Sequence, residues 1–164
     1  MTEQSRPAAA RLGLAVATCG YLGFVPVAPG TFGSAAGLAL FLLLTHVGSP
    51  VLYVGVAVLL FALGVWGASI AERELGRTDP GPVVMDEVVG MLITLAFLDV
   101  TLAGAVAGFL VFRVLDVVKP WPSRRFEQLH GGLGVMADDA MAAVYGNLVM
   151  RALLWLAPAG WFAP

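Results

Sequence analysis

Residues 51–71 form an unbroken run without a single charged side chain, and that run limits the fold more than any other feature. As a helix at 1.5 Å per residue it reaches about 30 Å, the thickness of a bilayer's hydrocarbon core. The rest of the chain follows suit. Of 164 residues 59% are apolar and only 12% charged, about half the usual charged share of a water-soluble domain, which excludes disorder and points to a membrane-embedded chain. A net charge of −2 and the lack of a basic stripe exclude nucleic acid as a partner. Cys19 stands alone, so no intrachain disulfide forms, and without a Cys/His cluster any metal must be held by oxygen.

The pattern predicts an all-α integral membrane helical bundle of about four to five apolar helices with short loops and a broken or re-entrant N-terminal segment. Residues 1–11 read as a disordered cytoplasmic tail, and 12–164 as one membrane-embedded domain. Residues 12–25, dotted with Gly13, Gly20 and Gly23 and closed by Pro26 and Pro29, read as a short helix that stops on or inside the membrane. Further helices are expected over 33–47, 51–71, 83–98, 101–118 and 136–157, with turns at 48–50 and at Asp99 and Val100. Arg6, Arg11, Arg73, Arg77, Lys119, Arg124 and Arg125 all fall at one set of ends, which places those ends in the cytoplasm. Arg151 departs from this pattern, since it falls in the outer half of the last helix. No feature specifies an oligomeric state.

Charge inside a membrane is costly and needs a reason. Here it gathers in three places on the cytoplasmic side: Asp86 and Glu87 opening one helix, Arg113, Asp116 and Lys119 three apart at the end of the next, and Asp138 and Asp139 opening the last. Acids in a first helical turn also cap free N–H groups, so either pair alone has that simpler explanation. Five anions close together, however, repel strongly unless a cation lies between them, and a hard divalent ion, Mg²⁺, answers that need. Thr31 and Ser34, as N-cap candidates after a Pro-Gly turn, and the N–H groups beside them offer a phosphate cradle or a plain helix cap. His130, in a Gly-rich approach to Asp138, relays a proton or caps a turn. Arg124 and Arg125 beside Trp121 anchor the interface and can meet an anionic headgroup.

Four blocks, P-G-T-F-G-S (29–34), V-M-D-E-V-V-G-M (84–91), F-R-V-L-D-V-V-K-P-W-P (112–122) and H-G-G-L-G-V-M-A-D-D (130–139), resemble in order and spacing those of the phosphatidylglycerophosphatase A family. The resemblance implies a Mg²⁺-dependent enzyme of the bacterial inner membrane. Such an enzyme removes the terminal phosphate of phosphatidylglycerophosphate, its lipid partner in the bilayer. On that basis Asp86, Glu87, Asp138 and Asp139 are expected to hold one or two Mg²⁺ ions, and Asp116 to be a ligand or the base. Arg113 and Lys119 would balance phosphoryl charge, with Thr31, Ser34, Arg124 and His130 as substrate contacts. Two rivals remain, a phosphatase for another lipid monophosphate and, from a different class, a small cation transporter, although the apolar stretches 93–98 and 103–112 leave a conducting path without a lining.

Overall fold

The structure is a computed structural model that describes residues 7–126, 129–158 and 160–163, with every side chain in them except that of Arg124. It is all-helical, with no strand among the described residues: α1 (Ala8–Ala17), α2 (Pro29–Val47), α3 (Pro50–Leu75), α4 (Met85–Leu95), α5 (Leu102–Val118), the single turn α6 (Ser123–Phe126) and α7 (Gly132–Leu156). Among the described residues, α2 and α3 are long and apolar enough to cross a membrane, and α7 matches them in length but carries Asp138, Asp139 and Arg151.

The outer surface is that of a membrane protein. Val51, Val58 and Leu59 on α3, Leu110, Val114 and Val117 on α5 and Leu148 on α7 all point outward, a wide apolar exterior that water would not tolerate. The interior is organised around α4. Nine of its eleven residues are buried, and it packs against α2, α3, α5 and α7. Glycines on α2 permit the close approach: a Cβ on Gly37 would lie 2.6 Å from the Val88 carbonyl oxygen of α4, inside any allowed contact.

At 11 residues α4 is about 16 Å long and ends well short of a full crossing. Its last carbonyls have no donor within the helix, and side chains of neighbouring helices satisfy them. Asn147 on α7 does so, its amide donating to the carbonyls of Ile93 (3.3 Å), Thr94 (3.0 Å) and Ala96 (3.0 Å). Tyr53 on α3 donates its hydroxyl to the Leu92 carbonyl. The outlying Arg151 finds its place here too, exposed and donating from Nε to Asn147 Oδ1 at 2.8 Å. Beyond α4 the chain runs irregularly from 96 to 101, a longer connection than the two-residue turn expected at Asp99 and Val100.

The N-terminal segment is broken, as expected, but at different points. Helix α1 already starts at Ala8, so residues 8–11 are helical where a tail was predicted, and residues 1–6 of that tail lie outside the described residues. It ends at Ala17, where Cys19, Gly20 and Tyr21 turn through positive φ into a 3₁₀ turn at Leu22–Phe24. Helix α1 lies along α3, and the Val84 N–H donates to the Ala17 carbonyl at 2.9 Å, which ties the N-terminal segment to the start of α4.

Candidate active site

Asp86 and Glu87 occupy the first turn of α4, whose N-cap is Val84, and Asp86 is 7% exposed. Helix α7 starts at Gly132, four residues earlier than expected, so Asp138 and Asp139 lie about two turns inside it, each 3% exposed. That removes capping as the explanation for this second pair. The fold brings Asp86, Glu87 and Asp139 together, each offering an oxygen within 4.8 Å of the others, on a cleft of about 280 Å³. Asp116, buried in α5, lines the same cleft.

One oxygen of each cluster member, Asp86 Oδ1, Glu87 Oε2 and Asp139 Oδ2, is buried and has no hydrogen-bond partner among the described residues. Buried carboxylate oxygens are costly to leave unpaired, and three carboxylates that converge from two helices offer the donor set of a hard cation such as Mg²⁺. The residues present fit such an ion.

Asp138 does not join them. Its Oδ2 pairs with Lys119 Nζ, and its Oδ1 accepts the backbone N–H of Asp139 at 2.9 Å. In this arrangement Asp138 lies beside the cluster of Asp86, Glu87 and Asp139 and not within it. Asp139 faces α4, whereas Asp138 is turned toward the end of α5, where Lys119 lies. Lys119, in turn, is already paired in this arrangement. It ends α5 in a left-handed conformation (φ 46°), with Pro120 preventing continuation.

Arg113 is held from three sides. Its Nη1 lies 2.8 Å from Asp116 Oδ2 and 3.7 Å from Glu87 Oε1, and it donates to Ser34 Oγ at 3.3 Å. Ser34 is fully buried and donates to the Gly30 carbonyl at 2.9 Å, so it supports Arg113 from behind and does not face the cleft. Ser34, expected to contact substrate, is placed behind Arg113 and not on the cleft wall. Nor is Ser34 or Thr31 the N-cap of α2. The helix starts at Pro29 with Ala28 as N-cap, because proline at the first position has no N–H to satisfy. Thr31 donates its N–H to the Ala28 carbonyl at 2.9 Å and lies off the cleft wall, while Gly30 forms part of it. A Cβ on Gly30 would stand 2.1 Å from Glu87 Oε1, so only glycine lets α2 approach this closely.

His130 is exposed and off the cleft, and Arg124 lies in α6 with its side chain outside the described residues. The Arg125 guanidinium stacks over Trp121 at 5.5 Å. Cys19 is half-buried, and burial pushes its thiol further from ionisation. The structure adds two cleft residues that sequence reasoning passed over, Arg77 and Asp79 in the loop between α3 and α4. Their signal was the charge-rich run 72–79 just ahead of the V-M-D-E block, which had been read only as an orientation marker.

The sequence profile of the family described as Phosphatidylglycerophosphatase A matches residues 15–154. Phosphatidylglycerophosphatase A of Escherichia coli is 40% identical over 124 residues, which cover 74% of this chain and 72% of the relative. Its namesake from Haemophilus influenzae is 36% identical over 133 residues, covering 80% and 82%. A Bacteroides thetaiotaomicron protein named as a candidate phosphatidylinositol-3-phosphatase is 37% identical over 141 residues, covering 82% and 88%. No solved structure matches. The profile runs through all the helices that contribute acids to the cleft, and a match of that extent shows that the chain belongs to the phosphatidylglycerophosphatase A family.

Proposed function

We propose that the chain hydrolyses the terminal phosphate monoester of phosphatidylglycerophosphate, giving phosphatidylglycerol and phosphate, with Mg²⁺ held by Asp86, Glu87 and Asp139. The observation that carries this reading is the trio of carboxylates, each with one buried oxygen unpartnered among the described residues, that converges beside Arg113 at one cleft of a membrane bundle. Bound there, Mg²⁺ supplies positive charge for the phosphoryl oxygens and acidifies a water for in-line attack. Arg113, fixed by Asp116, Glu87 and Ser34, presents a guanidinium already oriented toward the cleft, so charge that develops on the phosphoryl group meets a donor that need not reorganise. Asp116 is a further ligand or the group that takes the water's proton. Lys119 and Asp138 form a second layer, in which the ammonium orients one carboxylate while the other oxygen steadies the Asp139 backbone. Thr31, Arg124 and His130 serve, in this reading, the outer part of the headgroup.

The location follows from the substrate. Acyl chains stay in the bilayer while the headgroup folds into the cleft, in a multi-pass protein of the bacterial inner membrane whose cleft faces the cytoplasm, where the basic residues of the connecting loops collect. A transporter is disfavoured because Met91, Leu92, Leu95, Phe112 and Met150 fill the bundle beyond the acids with an apolar core. A phosphoinositide monoester is the second reading, and the name of the Bacteroides relative favours it.

The test is phosphate release by purified protein in detergent from phosphatidylglycerophosphate and from phosphatidylinositol 3-phosphate, with Mg²⁺ titrated after chelation. Release from the first lipid that vanishes with chelator and returns with Mg²⁺ is expected. Release that is indifferent to chelator removes the metal, and preference for the second lipid reverses the substrate assignment.

A further inference from the structure

Of the cations lining the cleft, Arg113 is paired with Glu87 and Asp116, and Lys119 with Asp138. Arg77 differs. It is exposed at the rim, its guanidinium lies against Gly81, where a Cβ would be at 3.5 Å, and no ion pair engages it among the described residues. Its depth is set by α3, which at 26 residues is about 39 Å long and exceeds the hydrocarbon core. Arg77 follows the end of that helix by two residues and the uncharged run 51–71 by six, past the stretch that a bilayer's hydrocarbon core would cover.

A phosphatidylglycerophosphate headgroup has two phosphates, joined by a glycerol. The terminal one must reach the buried carboxylates, so the diester comes to lie toward the rim. We propose that Arg77 binds this diester phosphate, and so selects a lipid with a phosphodiester next to its terminal phosphate over one with the monoester alone. The assignment rests on the lipid phosphatase reading above. An arginine suits the task because its planar fork meets two phosphate oxygens at once, and because its charge is not already spent on a carboxylate.

The test uses the full chain in mixed micelles, comparing the parent with Arg77→Ala and Arg77→Lys. The diester phosphate is probed separately by competition with glycerophosphoglycerol, which has a phosphodiester and no monoester. For Arg77→Ala the KM for phosphatidylglycerophosphate should rise about tenfold, the scale of one charge-assisted hydrogen bond, with kcat within about twofold of the parent. Competition by glycerophosphoglycerol should weaken in parallel, inhibition by inorganic phosphate should hold, and Arg77→Lys should fall between the two. An unchanged KM, a fall confined to kcat, or a loss of inorganic phosphate inhibition in place of diester competition overturns the assignment while leaving the reaction standing. A parent inactive on phosphatidylglycerophosphate overturns both.

Discussion

Asp138 and Asp139 are indistinguishable as letters, yet the fold gives them different work. Asp139 faces Asp86 and Glu87, while Asp138 faces Lys119. Their variants should differ accordingly. Asp139→Asn and Asp86→Asn are expected to reduce phosphate release to near background and to abolish the Mg²⁺ response. Asp138→Asn should cost about tenfold to a hundredfold, as partners of ligands generally do, and keep its Mg²⁺ dependence. A Mg²⁺ titration of the three variants checks this, and equal behaviour of Asp138→Asn and Asp139→Asn counts against the geometry. Gly30→Ala is the steric counterpart. Its Cβ would press on Glu87 Oε1 at 2.1 Å, so activity should drop and stability fall by about 1–3 kcal/mol, read by thermal unfolding in detergent. The sequence offered the acids as candidates, but it could not say which of two adjacent carboxylates turns inward. That depends on how α7 is rotated in its packing against α4 and α5, which contacts between distant segments set.

At the level of elements, the long apolar helices were legible from hydropathy alone, since membrane-crossing runs leave little ambiguity. The end of α4 was not. Residues 96–98 continue the apolar pattern, so nothing local marks the stop at Leu95; it is fixed by Asn147, 52 positions further on, whose amide takes up the carbonyls at that end. Asn147→Leu keeps the volume and removes the donors. It should destabilise the protein by about 1–3 kcal/mol per carbonyl left buried and unsatisfied, measured as a fall in Tm, and lower activity by loosening the element that carries Asp86 and Glu87. A Tm equal to the parent's would show that the carbonyls find other donors. The short α6 escaped notice because a single helical turn of four residues has no periodicity to read.

For the molecule as a whole, composition was enough to place it in a membrane and to group the acids at one end, whereas the loop that closes the cleft with Arg77 and Asp79 depended on contacts between distant segments. A cluster of buried carboxylates makes the folded state depend on whatever neutralises it. Mg²⁺ should therefore raise Tm, by the equivalent of about 2.7 kcal/mol at a hundredfold excess over Kd, and Asp139→Asn should blunt that rise. Thermal scans with and without chelator check it. The apolar plug of Leu92, Leu95 and Phe112 beneath the acids carries a further consequence. With the far side sealed, water, phosphate and protons all come and go through one mouth, so a turnover carries no net charge from one compartment to the other. The rate in proteoliposomes should then ignore an imposed diffusion potential and follow only how quickly fresh lipid arrives sideways within its own leaflet.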